Sequence, residues 1–89
     1  MTVNPGEILS LQSHDHRSEF WYVVEGIATV ECDEKIFDIK KYESANIPLK
    51  SKHRLSNNSD SILKVIEVQI GNILSEDDIT RYEDRYERD

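Results

Sequence analysis

Scarcity sets the first limits on this chain. It carries one cysteine, Cys32, in 89 residues, so it forms no internal disulfide, and a reducing compartment, the cytoplasm, is expected. No stretch approaches the roughly 18 consecutive apolar residues of a membrane-spanning helix. The opening MTVNPGEI has neither the basic nor the apolar segment of a secretion signal, and no leader is expected. Cations are short too: 11 Lys and Arg stand against 18 Asp and Glu, a net charge of −7. That balance argues against nucleic acid and anionic membrane as partners. A Ser-His-Asp ordering, a glycine-rich phosphate loop and a cysteine pair are all missing, so acyl transfer, nucleotide hydrolysis and zinc-finger roles lack support. One domain over 1–89 is expected, with a core small enough that a bound metal or a second subunit would help it.

What is present reads mostly as strand. Residues 7–14 alternate polar and apolar side chains, and 15–18 mark a polar bend. Residues 20–24 are a dense aromatic and β-branched run, the strongest strand signal in the chain. After the Glu25-Gly26 turn, residues 27–32 alternate with Ala28, Val30 and Cys32 on one face. Asp33-Glu34 turns the chain into 35–39, where Phe37 and Ile39 share a face. Residues 40–46 read as a connection. His53, Leu55 and Asn57 share a parity, and Ile62, Ile66, Val68 and Ile70 share another in the longest strand, which Gly71 closes. From Ser75 the character changes: Ser75 reads as an N-cap, acidic residues follow, and Ile79, Tyr82 and Tyr86 stand at helical spacing. The expectation is an all-β sandwich or barrel with a short C-terminal helix.

Ligand-type side chains gather at two places. Gln12, His14 and His16 fall on one parity, with Glu19 just beyond the bend, and the third histidine, His53, lies far along the chain. Neutral imidazole plus carboxylate is a set that divalent first-row metals prefer. Facing inward without partners, such groups would cost a few kcal/mol each. The plainer alternative is a strand whose histidines face solvent. Lys50, Lys52, His53 and Arg54 form a basic island in an acidic chain, readable as an anion site or as a solvated loop. Trp21 and Tyr22 read as packing or lining residues, and Cys32 as core rather than nucleophile.

The spacing of these residues resembles the cupin superfamily. Gly6, five residues, Gln12-Ser13-His14, four residues, Glu19, six residues and Gly26 follow its first motif, with Gln12 for the first histidine. Tyr42, Pro48-Leu49-Lys50, His53 and Asn57 follow its second; both motif glycines are replaced, by Tyr42 and Lys50. Counting back from Glu19 selects Gln12 and His14, rather than His14 and His16, as the paired ligands. The stretches LSLQSHDHRSEFWYVVEG, IPLKSKHRLSN, VIEVQIG and EDDITRYEDRY are similar to the type II mannose-6-phosphate isomerase domain, the C-terminal part of bifunctional mannose-1-phosphate guanylyltransferase/mannose-6-phosphate isomerase. The chain departs from that family at Phe20, where a histidine is usual, and at Glu87 after Tyr86.

The resemblance implies a small jelly-roll cupin barrel. It implies a divalent ion, Zn2+ first, on Gln12, His14, Glu19 and His53, and interconversion of mannose 6-phosphate and fructose 6-phosphate. His16 is then the candidate base or a fifth ligand. Arg17, Lys50, Lys52 and Arg54 are candidates for the phosphate. A homodimer is expected to cover an open sheet edge. Two rival readings remain: a non-catalytic, metal-containing cupin that binds a sugar phosphate or sugar nucleotide, and a metal-dependent oxygenase on a two-His-one-carboxylate site.

Overall fold

A computed structural model describes residues 1–83. They run as β1 (Thr2–Val3), β2 (Leu11–Ser13), β3 (Arg17–Glu25), β4 (Ala28–Cys32), β5 (Lys35–Ile39), β6 (Ser44–Ile47), β7 (His53–Ser56), β8 (Leu63–Gly71) and β9 (Thr80–Glu83). Two antiparallel sheets form, one in the order β1-β8-β3-β6 and the other β5-β4-β7-β2-β9. Apart from the β4–β5 hairpin, strands that follow one another in the chain cross between the sheets, the jelly-roll arrangement. No helix among the described residues is long and apolar enough to cross a membrane.

Alternation builds the core. In β3, Glu19, Trp21 and Val23 are buried while Phe20 and Tyr22 are half-buried on the other face. Val23 meets Ala28 and Val30 of β4, Leu55 of β7, and Leu63 and Val65 of β8 in one cluster. Each fully buried aliphatic side chain of this kind is worth roughly 1.5–3 kcal/mol. The buried Asn57 ties the end of β7 to two other segments. Its Nδ2 donates to the Val3 and Ser61 carbonyls at 3.0 and 2.7 Å, and its Oδ1 accepts from Ser59 N at 3.1 Å.

Three expectations are corrected, and the shared face of the longest strand is located. The alternation over 7–14 yields only β2, with Ile8 making an isolated bridge to Ser56. The connection at 40–46 contains β6, whose small and polar residues SANI carry little β-propensity but bury Ala45 and Ile47 against β3. Ile66, Val68 and Ile70 do share a face, but the outer one, at 52, 44 and 56 % exposure. Register with β3 places Leu63, Val65, Glu67 and Gln69 inward instead. Ser75 does cap a turn, its Oγ accepting from Asp77 N at 3.2 Å. The chain then enters β9 rather than a helix, because β2 offers an unpaired edge to residues 80–83. Tyr86 and Glu87 lie outside the described residues.

The two lost motif glycines explain two backbone anomalies. Tyr42 and Lys50 adopt φ of 72° and 64°, the left-handed conformation that glycine takes freely and other residues enter at a cost of about 1–3 kcal/mol. Each is held there by its amide. Tyr42 N donates to the Val23 carbonyl at 2.7 Å and Lys50 N to the His14 carbonyl at 2.8 Å.

Candidate metal centre

The site forms where β2, the bend after it, β3 and β7 converge. Gln12 of β2 sits opposite His53 of β7. The chain leaves β2 at Ser13, turns through 14–16 and returns as β3, so His14 and Glu19 come back to one place. His14, Glu19 and His53 are only 3–4 % exposed, and their ligand-type atoms all lie within 4.8 Å of one another. Three ionisable groups out of water demand partners, since an unpaired buried charge costs several kcal/mol.

Those partners select particular atoms. His14 Nδ1 lies 2.6 Å from the Asp78 carbonyl. A carbonyl only accepts, so Nδ1 donates to it, and Nε2 is the ring nitrogen that faces Glu19 Oε2, 3.1 Å away. His53 Nδ1 is likewise 3.1 Å from the Ser51 carbonyl, leaving Nε2 as the nitrogen able to ligate. Burial is the main cause that lowers the His53 pKa from 6.5 to about 4, with the Ser51 carbonyl opposing and His14 adding to the fall. At neutral pH His53 is therefore the uncharged ligand form. Trp21 Nε1 donates to Glu19 Oε1 at 2.8 Å and packs edge-on to His53. Arg17 Nε donates to Glu19 Oε2 at 3.2 Å, and its Nη2 stands 3.3 Å from His14 Nε2. Gln12 gives Nε2 to Ser10 Oγ at 3.3 Å, which leaves Oε1 as its ligand atom.

Two imidazoles, a carboxylate and an amide oxygen suit a first-row divalent ion. The cavity they enclose is small, about 170 Å³. Leu9 and Leu55 supply apolar wall, and the Glu67 carboxylate of β8 adds a further charge. His14, Glu19 and His53 are thus brought together as expected, and Gln12 lines the same cavity.

His16 is not brought in. Gln12, His14 and His16 share no continuous face, because β2 ends at Ser13 and the chain bends. His16 is exposed, and its amide donates to Asp78 Oδ2 at 2.9 Å while Asp15 N donates to Asp78 Oδ1 at 2.8 Å. Desolvation works to raise the Asp78 pKa, but these two donors, helped by the His16 and His14 rings, outweigh it and hold the carboxyl below its usual value.

Of the cations, Arg17 alone reaches the ligand atoms among the described residues. Arg54 lines the same cavity, but its Nε lies 3.3 Å from Glu31. The Lys52 ammonium sits 4.5 Å from the centre of the Tyr82 ring. Lys50 is exposed and engages the site through its backbone. Phe20 points to the outer face beside Val68, so the departure from the family histidine lies away from the cavity. Trp21, Glu67 and Asp78 were not marked as site residues by the sequence. Trp21 carried a usable signal, since it stands two positions from Glu19 on one strand face. Asp78 carried none, being one acid in an acidic run.

Residues 1–84 match the family model described as mannose-6-phosphate isomerase, C-terminal. The alginate biosynthesis protein AlgA of Pseudomonas putida is 52% identical over 88 residues, 99% of this chain and 18% of that protein. The mannose-1-phosphate guanylyltransferase ManC of Salmonella typhimurium is 47% identical over 88 residues, again 99% of this chain and 18% of its own length. The chain thus spans under a fifth of the curated relatives it matches. Among solved structures, a sugar phosphate isomerase of the cupin superfamily from Silicibacter pomeroyi superposes with a TM-score of 0.71 at 23% identity, over 80% of this chain and 47% of that one. A cupin 2 conserved barrel domain protein from Salinispora arenicola gives 0.69 at 24%, over 76% and 56%. These likenesses establish the fold as that of a cupin.

Proposed function

Because the chain belongs to the family of mannose-6-phosphate isomerase C-terminal domains, we propose that it is a metal-dependent aldose–ketose isomerase domain acting on mannose 6-phosphate and fructose 6-phosphate. The observation that carries the reading is the buried His14–Glu19–His53 group, with Gln12 beside it, inside a chain that matches the family from residue 1 to 84. Zn2+ is the ion we assign. When bound it would polarise the carbonyl and adjacent hydroxyl of the open-chain sugar.

The chain's own residues supply the rest. Gln12, His14, Glu19 and His53 orient the reacting end of the sugar. Trp21 fixes the Glu19 carboxylate and the Asp78 carbonyl fixes the His14 ring. The reaction needs a base to take the C2 proton and return it to C1 of the enediol. His16, the sequence's candidate, is exposed outside the cavity, and would serve only a sugar that projects over the bend. Glu67, although also solvent-exposed, is the better candidate because it lines the cavity, pairs with Trp21 across β3 and β8, and accepts a 3.1 Å bond from Gln69 Nε2. Arg17 is the cation placed to meet the phosphate; Lys50, Lys52 and Arg54 take supporting parts at most. We place the domain in the cytoplasm as a homodimer, with the exposed Ile66, Val68 and Ile70, beside the half-buried Phe20, in favour of a second copy.

The test is conversion of mannose 6-phosphate by the purified chain loaded with Zn2+, Co2+ or Fe2+. Turnover is expected to fall by roughly 10²-fold or more in Glu67→Gln, a loss much larger than the weakening of ion affinity from the lost charge. One rival keeps the same site but not the chemistry: a binding domain without turnover. Saturable binding of mannose 6-phosphate without conversion under any metal would establish that rival. Oxygen uptake with Fe2+ would instead point to an oxygenase.

A further inference from the structure

Arg17 differs from every other residue that touches the ligand side chains. Trp21 uses the distal carboxylate oxygen, Glu19 Oε1. Asp78 and Ser51 use the Nδ1 atoms of His14 and His53. These contacts leave the ligating atoms available. Arg17 instead places Nε 3.2 Å from Glu19 Oε2 and Nη2 3.3 Å from His14 Nε2, the two atoms that face each other across the site. The single lone pair of His14 Nε2 cannot serve a guanidinium and a metal ion together, and two cations a few ångströms apart repel at either ligand atom. The Arg17 side chain is 12 % exposed and lines the cavity, so its charge sits where an incoming ligand would meet it. A guanidinium fork matches a phosphate as well as it matches a carboxylate.

Resting on the metal-dependent sugar-phosphate reading above, we infer that Arg17 couples the two ligands of the site: its guanidinium competes with the ion for Glu19 Oε2 and His14 Nε2, and the phosphate of the substrate relieves that competition by engaging the guanidinium. Ion and sugar phosphate then bind with positive cooperativity, and by linkage each tightens the other by the same factor. The rival role is that Arg17 orients Glu19 for the ion. The two roles differ in sign. Removal of a competitor tightens ion binding, whereas removal of an orienting group weakens it.

The test is a Co2+ titration of the 89-residue chain, read by visible absorption, alone and with mannose 6-phosphate or uncharged mannose. Mannose 6-phosphate is expected to raise Co2+ affinity of the wild type about 5- to 10-fold, within the usual range of site–site coupling, and mannose to leave it unchanged. Arg17→Met is expected to bind Co2+ about tenfold more tightly than the wild type without sugar, and to gain nothing from mannose 6-phosphate. Circular dichroism checks that the variant folds, and Arg17→Gln carries the same test should Arg17→Met not fold. Weaker Co2+ binding in the variant, or coupling that survives in it, overturns the inference. A wild type that binds no ion strikes the metal reading itself, and shows this before any variant is made.

Discussion

At the residue scale, much of the site rests on atoms chosen by hydrogen bonds rather than on residue types. Glu19 is usable as a ligand because Trp21 Nε1 holds one of its oxygens at 2.8 Å. Trp21→Phe removes that donor and also shrinks a buried core side chain. It is expected to weaken ion affinity by roughly 10- to 100-fold, the usual effect of losing a partner of a metal ligand, and to lower the melting temperature through the space left in the core. A second test concerns backbone strain. Tyr42 is 67 % exposed, so its side chain contributes little packing, yet it holds φ at 72°. Tyr42→Gly relieves that strain and loses part of the gain to the freer unfolded chain. The net is a stabilisation of roughly 0.5–1 kcal/mol, a rise of a few degrees in melting temperature by calorimetry. The gathering of His14, Glu19 and His53, with Gln12 beside them, was legible in the sequence because cupin spacing is a statement about residues. The tautomers of His14 and His53 were not, because the carbonyls that set them belong to Asp78 and Ser51, whose own side chains give no hint of it.

At the element scale, β3, β4 and β7 could be read from alternation, since each keeps one face in the core, while β5 follows the same pattern but buries only Ile39. β6 and β9 could not, because their neighbours make them strands. SANI is extended by pairing with β3, and TRYE by pairing with the edge of β2. β9 has a functional consequence. It delivers the turn in which one residue, Asp78, holds the bend between β2 and β3 through two backbone amides and the His14 ring through its carbonyl. Asp78→Ala removes both carboxylate contacts and loosens the carbonyl. It is expected to lower Co2+ affinity about tenfold or more, whereas Asp77→Ala, which alters an exposed neighbour, leaves it unchanged. The same bend explains why Gly71 has no side chain. A Cβ there would stand 2.2 Å from the His16 carbonyl oxygen and 2.8 Å from Arg17 Cα, both backbone atoms. Gly71→Ala therefore pushes β8 away from the start of β3, and is expected to destabilise the fold and weaken ion binding together, by denaturant titration and Co2+ titration.

At the scale of the whole molecule, a small domain holds a buried cluster of ionisable groups in place of further apolar core. That exchange makes stability depend on pH. His53 has a pKa near 4 in the folded chain against 6.5 for an unperturbed histidine, so between those values the unfolded chain binds the extra proton. Stability is then full above pH 6.5 and is lost as pH falls toward 4, by roughly 3 kcal/mol if the whole shift is expressed. Against the 5–15 kcal/mol that holds most domains folded, that is a large share. Denaturant titrations of the ion-stripped chain at a series of pH values would show the decline, and His53→Gln, which cannot titrate, would flatten it through this window. Bound ion adds stability as RT ln(1 + [ion]/Kd), about 2.7 kcal/mol at 100 times Kd. It needs the same neutral imidazole, so the added stability must fade over the same fall in pH. An ion-dependent rise in melting temperature that persisted unchanged at pH 4 would mean that the ion binds without His53, and the ligand set would have to be redrawn.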